Sequence, residues 1–181
     1  IHHQQVEDSE VLLIIGTHEK GAYNLKEILQ KELTKRKIRK SIDEICLFIN
    51  KSHKLTDIEI NVLYNACDVG INTCEGEGFG LATLEHASVG KPQIVPRIPI
   101  FEELYGSAAL YAEPQYEYYK DEYSFGRGGK GTVCTPESYA ECIQFYNENR
   151  AIREEHGEDI KEVAQKYRWR NCSKVIGQIF G

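Results

Sequence analysis

The stretch Cys74-Glu75-Gly76-Glu77-Gly78-Phe79-Gly80-Leu81-Ala82-Thr83-Leu84-Glu85 alternates glycine with carboxylate between an apolar run and a helix-like one. Glycines let the backbone approach a ligand closely and take conformations that other residues resist. A helix start presents free N–H groups and the positive end of a dipole to an anion. Glu77 and Glu85 stand eight residues apart and share no helical face, so one fits the loop and the other lies two turns into the helix. Two carboxylates then bracket one phosphate site.

Outward from this loop the chain alternates strand and helix signals. Val69 to Asn72 reads as a short strand that delivers the chain into the loop at its carboxyl end. The helix from Gly80 to Val89 stops at Gly90, with Pro92 beyond it. Gln93 to Pro96 and Ala109 to Tyr111 are further strands. Upstream, Thr56 with Glu59 forms a capping box, and Ile60, Leu63, Tyr64 and Cys67 follow at helical spacing, so a helix is expected over 57–67. Val11 to Ile15 and Ile45 to Ile49 are continuous apolar runs, as expected of strands covered on both faces. Between them, Asn24 and Glu27 have capping-box character ahead of a stripe of Leu25, Ile28, Leu29 and Leu33. This order predicts an α/β, doubly wound, Rossmann-like parallel sheet. In such sheets ligands bind outside the carboxyl ends of strands, which is where the glycine loop falls.

With Leu63-Tyr64-Asn65-Ala66-Cys67-Asp68 before the loop and Ala87-Ser88-Val89-Gly90-Lys91-Pro92 after it, the segment from about 60 to 105 resembles the donor-binding core of the retaining glycosyltransferases of family 4. That family has two facing Rossmann-like halves (the GT-B type). The resemblance implies that residues 1–181 are the carboxyl-terminal, nucleotide-sugar-binding half, lacking its first strand and the amino-terminal acceptor domain, and inactive in isolation. It implies retaining transfer of a hexose from a UDP- or GDP-sugar to a glycan, lipid or protein acceptor. Glu77 would be the catalytic-site carboxylate, facing the sugar where an oxocarbenium-like transition state gains positive charge. Glu85 would hold the ribose hydroxyls. Gly78, Phe79, Gly80 and Leu81 would bind the donor through backbone N–H groups, and the Thr83 hydroxyl would reach a phosphate or serve as a local cap. Phe48, Ile49, Asn50 and Lys51 would border the nucleobase. Glu75 departs from the family's usual position.

No Asp-x-Asp metal–diphosphate motif occurs, so neither a metal nor a cofactor is expected, and charge neutralisation falls to the helix dipole and basic side chains. Gly126-Arg127-Gly128-Gly129-Lys130-Gly131-Thr132 superficially resembles a phosphate loop but lacks its ending and context, and reads as a mobile part of a surface excursion over 114–131. His18 and His86 read as surface residues. Thr135 and Pro136 open a helical region with a break expected near Gly157, and in the resembled family a helix near Trp169 crosses to the other domain.

Composition narrows the alternatives. At 181 residues one domain is the default, and the absent methionine, even at position 1, points to a fragment. The net charge of −6 argues against a nucleic-acid surface, and the seven Lys and Arg from Lys26 to Lys40 read as a solvated helix face. No apolar run is long enough to span a membrane and no leader is visible. The six dispersed cysteines read as reduced, buried small hydrophobes. A cytoplasmic location is expected, with peripheral membrane contact only through the missing domain. The rivals are a dinucleotide-binding oxidoreductase domain, whose Gly-x-Gly-x-x-Gly spacing the loop misses, and a non-catalytic interaction module derived from a glycosyltransferase.

Overall fold

The computed structural model describes residues 11–17, 20, 23–50, 54–120 and 129–180. The chain separates into two units, residues 1–60 and 61–181. In the first unit, β1 (Leu13–Ile15) pairs in parallel with β2 (Cys46–Phe48), Ile14 opposite Leu47. Between them run α1 (Leu25–Lys35) and the single turn α2 (Ile42–Ile45). Asn24 caps α1 by accepting from the Glu27 N–H at 3.2 Å. Ser41 and Glu44 form a capping box at α2. Leu33, Ile42 and Cys46 are the buried centre, with Ile15, Leu29, Ile38, Ile45 and Phe48 packed around it.

The apolar run at β1 differs from the expectation of a strand covered on both faces. Val11, Leu12 and Leu13 are each more than a third exposed, because the described sheet of this unit has only two strands and its core gathers around Leu33 and Ile42. The basic run of α1 is a solvated face as expected. Lys31 pairs with Glu27 at 2.6 Å, Arg36 with Glu32 at 3.7 Å, and Lys26 with Asp43 at 2.6 Å.

Helix α3 (Asp57–Ala66) starts where Glu59 accepts from the Thr56 N–H at 2.7 Å, and the boundary between the units falls within it. The second unit holds a parallel sheet in the order β3 (Gly70–Ile71), β4 (Gln93–Pro96), β5 (Leu110–Ala112). Helix α4 (Leu81–Ser88) links β3 to β4, and α5 (Pro99–Tyr105) links β4 to β5. Strand β4 is buried along its whole length, as a central parallel strand should be. Its Val95 packs in one cluster with Leu84, Ala87, Phe101, Leu104 and, from α7 (Arg150–Lys166), Ile160 and Ala164. Burying a side chain of the size of Phe101 stabilises by about 2–3 kcal/mol.

Two elements depart from the sequence expectations. Of residues 114–131, read as an excursion with a mobile glycine run, 114–120 and 129–131 lie in an antiparallel ribbon of β6 (Pro114–Lys120) and β7 (Gly129–Cys134), and 121–125 lie outside the described residues. Gly129 to Thr132 are strand residues, and Thr132 is buried; residues 126–128 lie outside the described residues. The helical break falls at Asn149, between α6 (Pro136–Glu148) and α7, rather than at Gly157. Gly157 instead lies in mid-helix against α4, where a Cβ would stand 2.5 Å from the Gly90 carbonyl oxygen. Thr135 caps α6 as expected, accepting from the Ser138 N–H at 3.0 Å. The chain continues into α8 (Trp169–Phe180), where Trp169 is 86% exposed. No described helix is long and apolar enough to cross a membrane. All six cysteines are free, but only Cys46 is fully buried.

Candidate functional site

Strands β3, β4 and β5 run in one direction, so residues 72–80, Arg97 and Glu113 all follow carboxyl ends on one edge of the sheet. Asn72, directly after β3, organises the loop. Its Oδ1 accepts from the Cys74 N–H at 2.8 Å, and its Nδ2 donates to Thr83 Oγ1 at 2.9 Å. The strand end is thereby tied to the first turn of α4. The Thr83 hydroxyl, offered by the sequence as a phosphate contact or a local cap, is buried and engaged with Asn72.

Gly80 is the N-cap of α4, in the left-handed region at φ 80° and ψ 48°. A Cβ there would meet Phe101 Cε1 at 2.7 Å. Both conformation and space therefore demand glycine. Lacking a side chain, Gly80 caps nothing. Among the described residues, the amides of Leu81, Ala82 and Thr83 therefore have neither an intrahelical acceptor nor a side-chain cap, the arrangement that makes a helix start attractive to an anion. The Leu81 side chain is 65% exposed, so only its backbone belongs to this geometry.

Glu77 is exposed and folds back on its own loop, where Oε1 accepts from the Gly78 N–H at 2.9 Å and from the Phe79 N–H at 3.4 Å. Phe79 is half-buried, edge-on to Tyr167 with ring centroids 5.5 Å apart, so it anchors the loop through its side chain. Beneath lies a stack of Phe101 and Tyr105 at 5.9 Å. Tyr105 is buried, and its hydroxyl has no partner among the described residues. Burial raises its pKa, with Tyr111, Tyr167 and the Glu77 charge adding to the effect.

Glu85 is exposed on α4, away from the loop carboxylate in sequence but close to Tyr64. Burial pushes the Tyr64 phenol up, and the nearby charge of Glu85 pushes it further. Arg97, after β4, is a cation at this edge already spoken for. Its Nε reaches Glu113 at 2.8 Å, its other guanidinium nitrogens reach Glu102 and Glu113, and its carbon lies 4.6 Å over the Tyr111 ring. Glu113 therefore holds the Arg97 pKa up, with Glu102 adding to it.

Glu77, Gly78, Phe79, Gly80, Leu81, Thr83 and Glu85 thus fall on one loop and one helix of the second unit. The nucleobase candidates belong to the first unit. Phe48 ends β2, the Ile49 N–H donates to the Ile15 carbonyl at 2.9 Å, Asn50 is exposed, and Lys51 lies outside the described residues, as does His18. His86, read from sequence as a helix-surface residue, is buried instead, because α4 turns that face toward Tyr64. The sequence reading also passed over Asn72, Tyr105 and Tyr118. For Asn72 a signal existed, since a side-chain amide directly between a strand and a glycine loop is well placed to bond both.

No protein-family model matches the sequence, and none of the curated proteins does. The chain has an α/β, Rossmann-like fold, seen in its likeness to a solved enzyme. That enzyme is sucrose-phosphate synthase from Thermosynechococcus elongatus, with a TM-score of 0.64 at 17% sequence identity. The likeness takes in 93% of this chain and 37% of that one, so the chain spans well under half the length of the protein it resembles.

Proposed function

We propose that the chain is the nucleotide-sugar-binding domain of a retaining, hexose-transferring glycosyltransferase akin to family 4, using a UDP- or GDP-linked donor without a metal. The observation that carries this reading is the glycine loop. It leaves β3 at the carboxyl edge, passes two carboxylates and enters α4 through a glycine cap with uncapped amides. The likeness of fold to a sucrose-phosphate synthase supports it.

In this reading the donor diphosphate takes the amides of Leu81 to Thr83, where the helix dipole favours negative charge. Glu85, with Tyr64 beside it, accepts from the two ribose hydroxyls. Glu77 turns from its own loop amides toward the sugar, where its charge opposes the positive charge that develops as the glycosidic bond breaks. Saturation-transfer NMR with UDP, GDP, UDP-glucose and GDP-mannose tests it. Transfer to ribose and sugar protons of one nucleotide class is expected; transfer to none of them would refute the reading.

A further inference from the structure

Glu75, at the root of the glycine loop, is held twice by the ribbon of β6 and β7. Its carbonyl accepts from the Thr132 N–H at 2.7 Å, and its carboxylate accepts from the Tyr118 hydroxyl. Thr132 is buried in mid-strand opposite Glu117. Tyr118 lies opposite Gly131, its ring filling the space a Cβ there would need, 2.6 Å from the ring. The base of the ribbon is rooted elsewhere: the Glu113 N–H donates to Ser138 Oγ at 2.7 Å, and Cys134 Sγ lies 3.2 Å from the Ala112 carbonyl oxygen. The contact of Tyr118 with Glu75 is therefore not what folds the ribbon. On the other side of Glu75, Cys74 is fixed to Asn72 and packs on the main core. Beyond it comes Gly78, around which a Cβ would meet nothing. Fixed points at Cys74 and Glu75 thus determine where the open stretch carrying Glu77 begins.

We infer that Tyr118 is a positioning residue for the donor loop, acting through Glu75 to hold Glu77 at the sugar end of the site. This rests on the nucleotide-sugar reading above. Glu85, which would hold the ribose, stands on α4 and outside this chain of contacts, so losing the Tyr118 hydroxyl should separate sugar recognition from nucleotide recognition.

The test is isothermal titration of the protein and its variants with UDP, GDP, UDP-glucose and GDP-mannose, beside amide hydrogen exchange of residues 76–79. Tyr118→Phe keeps the ring over Gly131 and removes only the hydroxyl. It is expected to weaken the nucleotide-sugar roughly fivefold, the size of one lost hydrogen bond, with free nucleotide unchanged and exchange at 76–79 faster. Glu75→Ala should reproduce this, and Glu75→Gln, which keeps an acceptor oxygen, should restore most of it. Unchanged affinity and exchange in Tyr118→Phe, or equal losses for nucleotide and nucleotide-sugar, would overturn the inference while leaving the nucleotide-sugar reading intact. Failure of the wild-type protein to bind any of the four ligands would instead remove that reading, and this inference with it.

Discussion

The Tyr64 ring lies flat on His86, with centroids 4.6 Å apart and planes 14° from parallel, while His86 Nε2 stands 3.2 Å from the Tyr64 carbonyl oxygen. The imidazole is thereby enclosed between α3 and α4. Burial pushes its pKa down to about 4 from 6.5, the Lys91 charge assists, and the Tyr64 carbonyl opposes. A histidine with a depressed folded pKa favours folding while neutral. Its contribution is complete above the unfolded value and is lost as pH falls from 6.5 toward 4. The loss amounts to about 3 kcal/mol at most. His86→Phe keeps the stack without the titration, so urea unfolding should show a shallower fall in stability between pH 7 and pH 4.5 than in the wild type. Parallel pH profiles would rule this out.

Gly157 sets two effects against each other. In a solvated helix, Gly→Ala stabilises by about 1 kcal/mol through propensity. Here the new methyl would stand 2.5 Å from the Gly90 carbonyl oxygen, which is backbone and cannot swing aside. The clash should win, with Gly157→Ala destabilising by about 1–3 kcal/mol in denaturant unfolding. A stabilised variant would show that α4 and α7 are not in close contact.

Gly80→Ala should be costly for a different reason. The left-handed backbone at φ 80° resists a side chain, and Phe101 occupies the space it would need. A loss of about 2 kcal/mol or more is expected, together with weaker nucleotide binding as the start of α4 shifts. Thermal melts and titration with UDP and GDP measure the two effects. Undisturbed values for both would contradict the cap geometry.

The two carboxylates should separate in a binding experiment. Glu85→Ala is expected to weaken UDP or GDP by roughly 1–3 kcal/mol, the cost of abandoning a charged hydrogen-bond set. Glu77→Ala should not weaken free nucleotide, since its present partners are the loop's own amides. Titration with nucleotide alone decides between them: equal losses would mean that the assigned roles are wrong.

Features decided by local chemistry were legible in the sequence. The capping pairs Asn24 with Glu27 and Thr56 with Glu59, the cap at Thr135 and the termination at Gly90 all form within one turn of where they are encoded. The loop after β3 was legible for the same reason. Features decided by contacts across the chain were not. Gly157 looks like a helix breaker until Gly90 is known to lie against it. His86 looks solvated until Tyr64 covers it. The ribbon hid behind its composition, because tyrosine, charge and glycine imitate a loop while Gly131 in fact makes room for Tyr118. The bonds of Glu75 to Thr132 and Tyr118 likewise depend on the ribbon, far along the chain.

The hydrogen bonds from Gly78 and Phe79 to the Glu77 carboxylate mean that two amides of the turn are already held by an anion of the chain's own. In the nucleotide-sugar reading, a diphosphate at the amides of Leu81 to Thr83 would arrive beside a charge already in place. Negative charge arriving at α4 would repel that carboxylate and favour its release from the amides, so that occupancy at one end of the site would arm the other. A neutral sugar without its nucleotide would give no such push, so the sugar would be held better attached to its diphosphate than free.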